Sequence, residues 1–345
     1  MSNSDINPTG FICEAGKKTT DVEIITARDV PLGGPRAMTV YRTLPQKRRS
    51  LIGAWCFCDH YGPDNVADTG GMDVPPHPHT GLQTVSWLFS GTLRHDDSNG
   101  IHELVRPGEV NLMTAGSGIC HSEVSTEDTT ELHGVQLWVV LPDSARNGSR
   151  RFDHYVPEPV TFPGGSALVF IGSALGSVSP VETFTPLLGA EIRLEPGAEI
   201  TIPVNPEFEH GVLVDTGVVK VEGTTVQRTE LAYLGIESDS LRLYNSGRSD
   251  ARLILLGGTP FKEPVVMWWN FIGRNDSEIR QFREQWNAHS DRFGKVTGYV
   301  GHSEKSIDRL PAPPMPETKI VARKNPASVA RPGDDPYRPY IDRIK

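Results

Sequence analysis

The chain has 345 residues and a formal net charge of −9, and 37% of its residues are hydrophobic. This length accommodates one large domain or two ordinary ones, each with a substantial core. The acidic balance disfavours nucleic acid and anionic membranes as partners, four cysteines are too few for a disulfide scaffold, and no apolar run is long enough to span a membrane. We therefore expect a monomeric cytoplasmic protein that binds neither nucleic acid nor membranes.

Short β-branched and aromatic runs dominate the chain after a polar stretch at residues 1–20, which we expect to be flexible. Gly, Pro, Asn and Asp separate these runs at short intervals, and this pattern predicts an all-β fold of barrels or sandwiches. The turn-rich segment "PDSARNGSRRFDHYVPEP" divides the runs into two sets with a similar rhythm. The sequence thus predicts two consecutive β-barrels, an N-terminal domain over 21–150 and a C-terminal domain over 155–288.

One short helix is predicted near the end of the second set, in "NDSEIRQFREQWN". Its Asn-Asp-Ser start offers capping side chains, and Ile279, Phe282 and Trp286 form an apolar stripe. The region 303–345 is Pro-rich and lacks apolar periodicity, which predicts an extended or disordered tail. On this basis, removal of the chain from Pro311 onward should leave the fold intact.

Two pairs of polar residues on predicted strands stand out as candidate metal ligands. His77 and His79 flank a proline in "HPH", and His121 and Glu123 lie in "CHSE". Residues two apart on a strand share a face, and adjacent antiparallel strands would bring the two pairs within about 5 Å. Three imidazoles and one carboxylate form a mixed site suited to a divalent Fe, Mn, Co, Ni, Cu or Zn ion. The alternative is two unrelated pairs of surface or hydrogen-bonded side chains.

The flanking motifs resemble the pirin family of bicupins, within the cupin superfamily. These motifs are "RTLPQKRRSLIGAWCFCDHYGP", "HPHTGLQTVSWLFSG", "RHDDSNG", "RPGEVNLMTAGSGICHSE" and "FKEPVVMWWNFIGRNDSEI". The resemblance implies two cupin barrels, with one metal per chain, usually iron, at the family's ligand positions. Those positions correspond to His77, His79, His121 and Glu123. General cupins place a glutamate ligand where this chain has Gln83, which we expect to pack or to support the site.

Two functions follow from the resemblance. The first is a dioxygenase of the quercetin 2,3-dioxygenase type, which acts on a chelating phenolic substrate and O2. In that reaction Glu123 would be both a ligand and the catalytic base that accepts a substrate hydroxyl proton. The second is a metal-dependent regulatory protein that binds a protein partner without catalysis. Because a fold supports many functions, the resemblance alone leaves both open.

The second set of strands is predicted to be free of metal, because its corresponding region has only one histidine, His210. Cys56 and Cys58 sit in an aromatic run and are expected to pack in the core, whereas Cys120 should face away from its neighbour in the ligand pair. The cluster 95–97 is expected in a loop, either solvated or at the pocket entrance. The pair at 59–60 is expected to stabilise a turn.

Overall fold

The computed structural model describes residues 22–31, 38–302 and 307–321. The stretch 1–20, predicted to be flexible, lies outside the described residues. Within the described ranges the chain forms 26 β-strands and two α-helices, which confirms the predicted all-β class. The described elements of the first half are β1 (Glu23–Ile25), β2 (Arg28–Pro31), β3 (Thr39–Leu44), β4 (Trp55–Asn65), α1 (Val66–Thr69), β5 (Asp73–His79), β6 (Leu82–Ser90), β7 (Leu93–Asp97), β8 (His102–Val105), β9 (Val110–Thr114), β10 (Ile119–Ser125), β11 (Glu131–Val140) and β12 (Arg151–Tyr155).

The second half continues with strands of similar length and ends in one longer helix. Its described elements are β13 (Val160–Phe162), β14 (Gly165–Ile171), β15 (Ser173–Ala174), β16 (Ser177–Val178), β17 (Leu187–Leu194), β18 (Glu199–Pro203), β19 (Glu209–Thr216), β20 (Val219–Val221), β21 (Thr224–Val226), β22 (Leu231–Leu234), β23 (Ser240–Asn245), β24 (Ala251–Gly258), β25 (Val266–Trp268), β26 (Phe271–Gly273) and α2 (Asp276–Asn287).

Each half builds a barrel from one seven-stranded and one four-stranded sheet. The first barrel has the strand orders β12-β9-β6-β11-β4-β3-β2 and β5-β10-β7-β8. The second has β1-β22-β19-β24-β17-β14-β13 and β18-β23-β20-β21. The same division into seven and four strands in both halves confirms the predicted pair of cupin barrels.

Strand β1 lies in a different barrel from the one that the predicted domain boundaries give it, and β12, most of which falls between the two predicted domains, belongs to the first barrel. Strand β1 pairs with β22 of the second barrel, with Glu23 opposite Tyr233, although the sequence assigned it to the first domain. Strand β12 pairs with β9 of the first barrel, with Tyr155 opposite Val110. Sequence order could not show this. Each strand forms its backbone hydrogen bonds with the edge strand of a sheet, and that edge strand is distant in the sequence.

The two seven-stranded sheets pack against each other and share one hydrophobic core. Polar groups at this interface are paired across it. The indole nitrogen of Trp55 donates to the carbonyl of Leu188 at 3.2 Å, and that of Trp87 donates to Glu191 at 2.8 Å. The backbone amide of Gly53 donates to Glu209 at 2.8 Å. Hydrogen bonds between the barrels therefore accompany the apolar contacts of their shared core.

Helix α2 follows the sequence prediction. The Asn275 side chain caps its first turn by accepting from the backbone amide of Glu278 at 3.0 Å. Its apolar stripe, Ile279, Phe282 and Trp286, is buried. This stripe belongs to a core cluster with Cys120 of β10, so the C-terminal segment covers the outer face of the four-stranded sheet of the first barrel.

The expectation of a loose C-terminal tail is wrong for residues 307–321, which pack on α2. Ala312 and Ile320 are each only 8% exposed. The backbone amide of Ile320 donates to Asp276 at 2.9 Å, and the side chain of Arg280 donates to the carbonyl of Pro316 at 3.2 Å. The segment packs on α2 through backbone hydrogen bonds and two buried side chains. It therefore needs no periodic apolar face, which is why the sequence pattern did not predict its packing.

Candidate metal centre

Strands β5 and β10 are antiparallel neighbours and carry the two predicted ligand pairs. His121 lies opposite His77, and Ile119 lies opposite His79. The register shifts between His121 and Glu123, which brings Glu123 opposite Val74. The strands therefore meet as the sequence predicts, and all four polar side chains are fully buried.

The three imidazoles converge in the lumen of the first barrel. The Nε2 atoms of His79 and His121 are 3.0 Å apart. One nitrogen from each of His77, His79 and His121 lies within 4.8 Å of the others. The Nε2 atom of His77 is buried without a hydrogen-bond partner. A proton can bridge only two of these nitrogens, whereas a metal ion can bind all three.

Backbone carbonyls fix the tautomers of two of these histidines. Nδ1 of His77 is 2.9 Å from the carbonyl of Pro75, and Nδ1 of His79 is 3.2 Å from the carbonyl of Asn270. A carbonyl only accepts, so each Nδ1 carries the proton and each Nε2 presents a lone pair. Metal-binding histidines generally donate their second nitrogen in this way.

Burial supports the same protonation state. It is the largest cause that lowers the pKa of His77, His79 and His121 well below 6.5. Neutral imidazoles are the form that binds metals. One oxygen of the Glu123 carboxylate lies within 4.8 Å of a nitrogen of His121 and of a nitrogen of His95, so His121 belongs both to the three-histidine group and to a group with this carboxylate. Imidazole nitrogens and a carboxylate oxygen are donors that suit a divalent transition metal.

His95 also reaches this centre, closer than the solvated loop or pocket entrance at which the sequence placed it. It lies in strand β7 and is 3% exposed, rather than in a loop. Its Nδ1 is 3.3 Å from Nδ1 of His121, and its Nε2 is 3.4 Å from Asp97. The alternation of Leu93, His95 and Asp97 was the available signal, but the adjacent polar residues obscured it.

Gln83 takes no part in the centre. Its amide donates to Thr114 at 2.9 Å on the neighbouring strand β9. Ser86 of the same strand contacts Glu123 in the lumen, and residues three apart on a strand face opposite ways. Gln83 is therefore a residue of the sheet face turned away from the ligands.

A second buried group of two histidines and a carboxylate lies between the barrels. Oδ1 of Asp215 is 2.7 Å from Nε2 of His60 and 2.5 Å from Nε2 of His133. The sequence analysis expected His60 in a turn, but it lies in strand β4 and is fully buried. Asp215 comes from β19 of the other barrel, so this group forms only when the barrels pack together.

Arg252 makes this second group unsuitable for a metal. Its guanidinium donates to Oδ2 of Asp215 at 2.5 Å and lies 3.3 Å from Nδ1 of His133. Since arginine only donates, Nδ1 of His133 accepts and Nε2 carries the proton, which it donates to Asp215. Burial alone would raise the pKa of Asp215, but the hydrogen bonds from His133 and His60 and the Arg252 charge outweigh it and lower that pKa.

The three cysteines in the described part of the chain are buried packing residues, as expected from the sequence. Cys56 and Cys58 are buried in the core between the barrels, and burial raises the pKa of Cys58 to about 12. Cys120 points away from the lumen and contacts the carbonyl of Gly294 in the C-terminal segment at 3.6 Å. A protonated, buried thiol is a poor nucleophile.

The second barrel has an apolar lumen. Buried side chains that include Val212, Val214 and Leu253 pack together in its core, and the ring of His210 lies 6.2 Å from that of Phe208. Nε2 of His210 has no hydrogen-bond partner, and burial lowers its pKa to about 4. Among the described residues, no group of three potential metal ligands includes His210.

No helix in the described part of the chain is long and apolar enough to cross a membrane.

Family profiles match both halves of the chain. The profile "Pirin" matches residues 37–139, and "Pirin C-terminal cupin domain" matches residues 189–294. A Pseudomonas aeruginosa protein named "Putative quercetin 2,3-dioxygenase" is 40% identical over 293 residues, which cover 85% of this chain and 90% of that protein. Human pirin is 33% identical over 215 residues, covering 60% of this chain and 73% of the human protein.

A solved structure extends the similarity to the fold. The crystal structure of a quercetin 2,3-dioxygenase from Acinetobacter baumannii superimposes with a TM-score of 0.80 at 38% sequence identity. The match covers 87% of this chain and 98% of that one.

Proposed function

This chain belongs to the pirin family of bicupins, and we propose that its first barrel holds one divalent transition metal, with iron as that metal. The proposed ligands are His77, His79, His121 and Glu123. The proposal depends above all on the 3.0 Å approach of two buried Nε2 atoms, beside a third buried Nε2 without a partner.

The proposed activity is that of a quercetin 2,3-dioxygenase acting on a chelating phenol and O2. Two similar proteins bear that name, one of them at 40% identity across most of both chains. A divalent metal held by these residues would acidify the hydroxyl group of a bound phenol. A ligand set with only one anion leaves positive charge for an anionic phenolate.

The chain's own residues would position and deprotonate the substrate. The three neutral histidines hold their orientation through contacts with Pro75, Asn270 and His95. Glu123 is the only carboxylate in the proposed ligand set and would accept the phenol proton. All four ligands are fully buried, so the lumen excludes bulk water from the reacting groups.

Oxygen uptake with a panel of flavonols and catechols tests this function. Protein purified without chelators is analysed for metal, mixed anaerobically with substrate and then exposed to oxygen. Glu123→Gln should lower turnover by about 10²–10⁴-fold, because the amide cannot accept a proton. The exposed neighbour Glu127 provides a matched control, and Glu127→Gln should turn over like wild type.

Two outcomes would overturn the enzymatic proposal. One is equal uptake by wild type and Glu123→Gln, and the other is no uptake by metal-loaded wild type. The second outcome would favour the alternative role, a metal-dependent regulatory protein that binds a protein partner.

A further inference from the structure

Two polar side chains connect Glu123 to the opposite wall of the first barrel. Ser86 of β6 and Gln136 of β11 lie directly opposite each other in the sheet register. The Ser86 hydroxyl oxygen is 3.3 Å from Oε1 of Glu123 and 2.9 Å from the terminal amide of Gln136. Ser86 is 4% exposed, and the other two are fully buried. The lumen therefore contains a continuous polar chain that ends at a proposed ligand.

The direction of this chain follows from counting protons. Ser86 has one hydroxyl proton and cannot donate to both a carboxylate and an amide oxygen. With the amide oxygen toward Ser86, one of the two contacts is unsatisfied, and Nε2 of Gln136 has no partner. The oxygen and nitrogen of an amide are interchangeable in shape. With the nitrogen toward Ser86, Gln136 donates to Ser86 and Ser86 donates to Glu123, so both contacts become hydrogen bonds.

We infer that Ser86 and Gln136 are positioning residues for the carboxylate ligand, an inference that rests on the proposed metal centre. The Ser86 hydroxyl binds Oε1 of Glu123, and Gln136 holds that hydroxyl in the donating orientation. That hydrogen bond uses one lone pair of Oε1 and would hold the plane of the Glu123 carboxylate in one orientation toward a bound metal.

This assignment differs from the one that the general cupin pattern suggests. That pattern draws attention to Gln83, whose side chain lies on the face of β6 turned away from the ligands and donates to Thr114 of β9. The contact with Glu123 comes from Ser86, three residues further along the same strand. Gln83 is therefore a matched control, because it is an equally buried polar residue on the same strand that faces away from the ligands.

Metal affinity, measured by competition with a chelator, tests the inference independently of turnover. Ser86→Ala should weaken metal binding about 10–100-fold, the usual range for residues that orient metal ligands. Ser86→Thr keeps the hydroxyl and should restore most of the affinity, and Gln83→Met should bind metal like wild type. In infrared difference spectra between metal-bound and metal-free protein, the separation of the Glu123 carboxylate bands in the metal-bound form should differ from wild type in Ser86→Ala and match wild type in Gln83→Met.

A double-mutant cycle tests the order of the chain. Gln136→Leu should weaken metal binding less than Ser86→Ala does, and it should have no further effect in the Ser86→Ala background, because Gln136 acts through Ser86. Equal effects of Gln136→Leu in both backgrounds would overturn the relay. Unchanged affinity and carboxylate bands in Ser86→Ala would overturn the inference while leaving the metal centre intact. A wild-type protein that binds no metal would instead overturn the proposed function.

Discussion

Two buried groups in this molecule contain histidines and a carboxylate, yet their protonation makes them chemically opposite. In the lumen of the first barrel, Nδ1 of His77 and of His79 faces a carbonyl, so each Nε2 offers a lone pair. Between the barrels, Nδ1 of His133 faces the guanidinium of Arg252, so its Nε2 donates to Asp215. One group is arranged to bind a cation, and the other is already neutralised by one.

The difference shows that residue types and short distances do not by themselves define a metal site. Both groups bring three potential ligand atoms within 4.8 Å of one another. What distinguishes them is the group that contacts the far side of each imidazole ring, since that group decides which nitrogen holds the proton. The lumen group offers nitrogen lone pairs to a metal ion, whereas the group between the barrels forms hydrogen bonds that join the two domains.

The largest expected effect is on metal content, when histidines are removed from each group in turn. Wild type should contain one transition metal per chain. His77→Ala combined with His121→Ala should contain none, whereas His60→Ala combined with His133→Ala should still contain one. Elemental analysis of folded protein, verified by circular dichroism, is the measurement. Two metals per wild-type chain, or metal retained without His77 and His121, would contradict the assignment.

The interbarrel group should instead control stability. Asp215→Ala leaves the partly buried Arg252 without its carboxylate and removes the buried acceptor for His60 and His133. Loss of one partner from a buried ion pair costs about 3–5 kcal/mol of the free energy of unfolding. Urea denaturation of metal-loaded protein measures this cost. The exposed Asp250 is the control, and a loss no larger than that of Asp250→Ala would refute the role of the group.

Local rules account for the meeting of the two predicted ligand pairs in the lumen. Alternation along a strand placed His77 with His79 and His121 with Glu123, and the pairing of β5 with β10 then brought the pairs together. The partners of His60 could not be found in this way, since Asp215 is 155 residues further along the chain and belongs to the other barrel. Strand pairing and barrel packing decide such contacts.

A smaller effect, about 3 kcal/mol in the free energy of unfolding, is expected from the pH dependence that His210 gives to the second barrel. Burial lowers the pKa of His210 from 6.5 to about 4. Between these values the unfolded chain binds a proton that the folded chain does not, so stability falls as the pH decreases from 6.5 to 4. His210→Met should remove about 3 kcal/mol of this pH dependence in metal-loaded protein. Parallel stability curves for wild type and His210→Met across this range would contradict the prediction.

The smallest effect concerns the segment 311–321, which packs on α2 behind the ligand-bearing sheet. A chain that ends at residue 310 lacks the buried Ile320 side chain and the bonds from Arg283 to Pro313 and from Ile320 to Asp276. Burial of one isoleucine contributes about 1.5–3 kcal/mol. The free energy of unfolding of a chain that ends at 310 should therefore be about 2 kcal/mol lower than that of a chain that ends at 321.

The comparison between these two truncated chains isolates the eleven residues from all that follows them. Because α2 shares a core cluster with Cys120 of β10, the shorter chain should open first at the first barrel. Hydrogen exchange should therefore quicken in β5 and β10 while β19 and β24 stay protected. Equal exchange in both barrels, or equal stability of the two truncated chains, would show that the segment contributes nothing to the sheet that carries the proposed ligands.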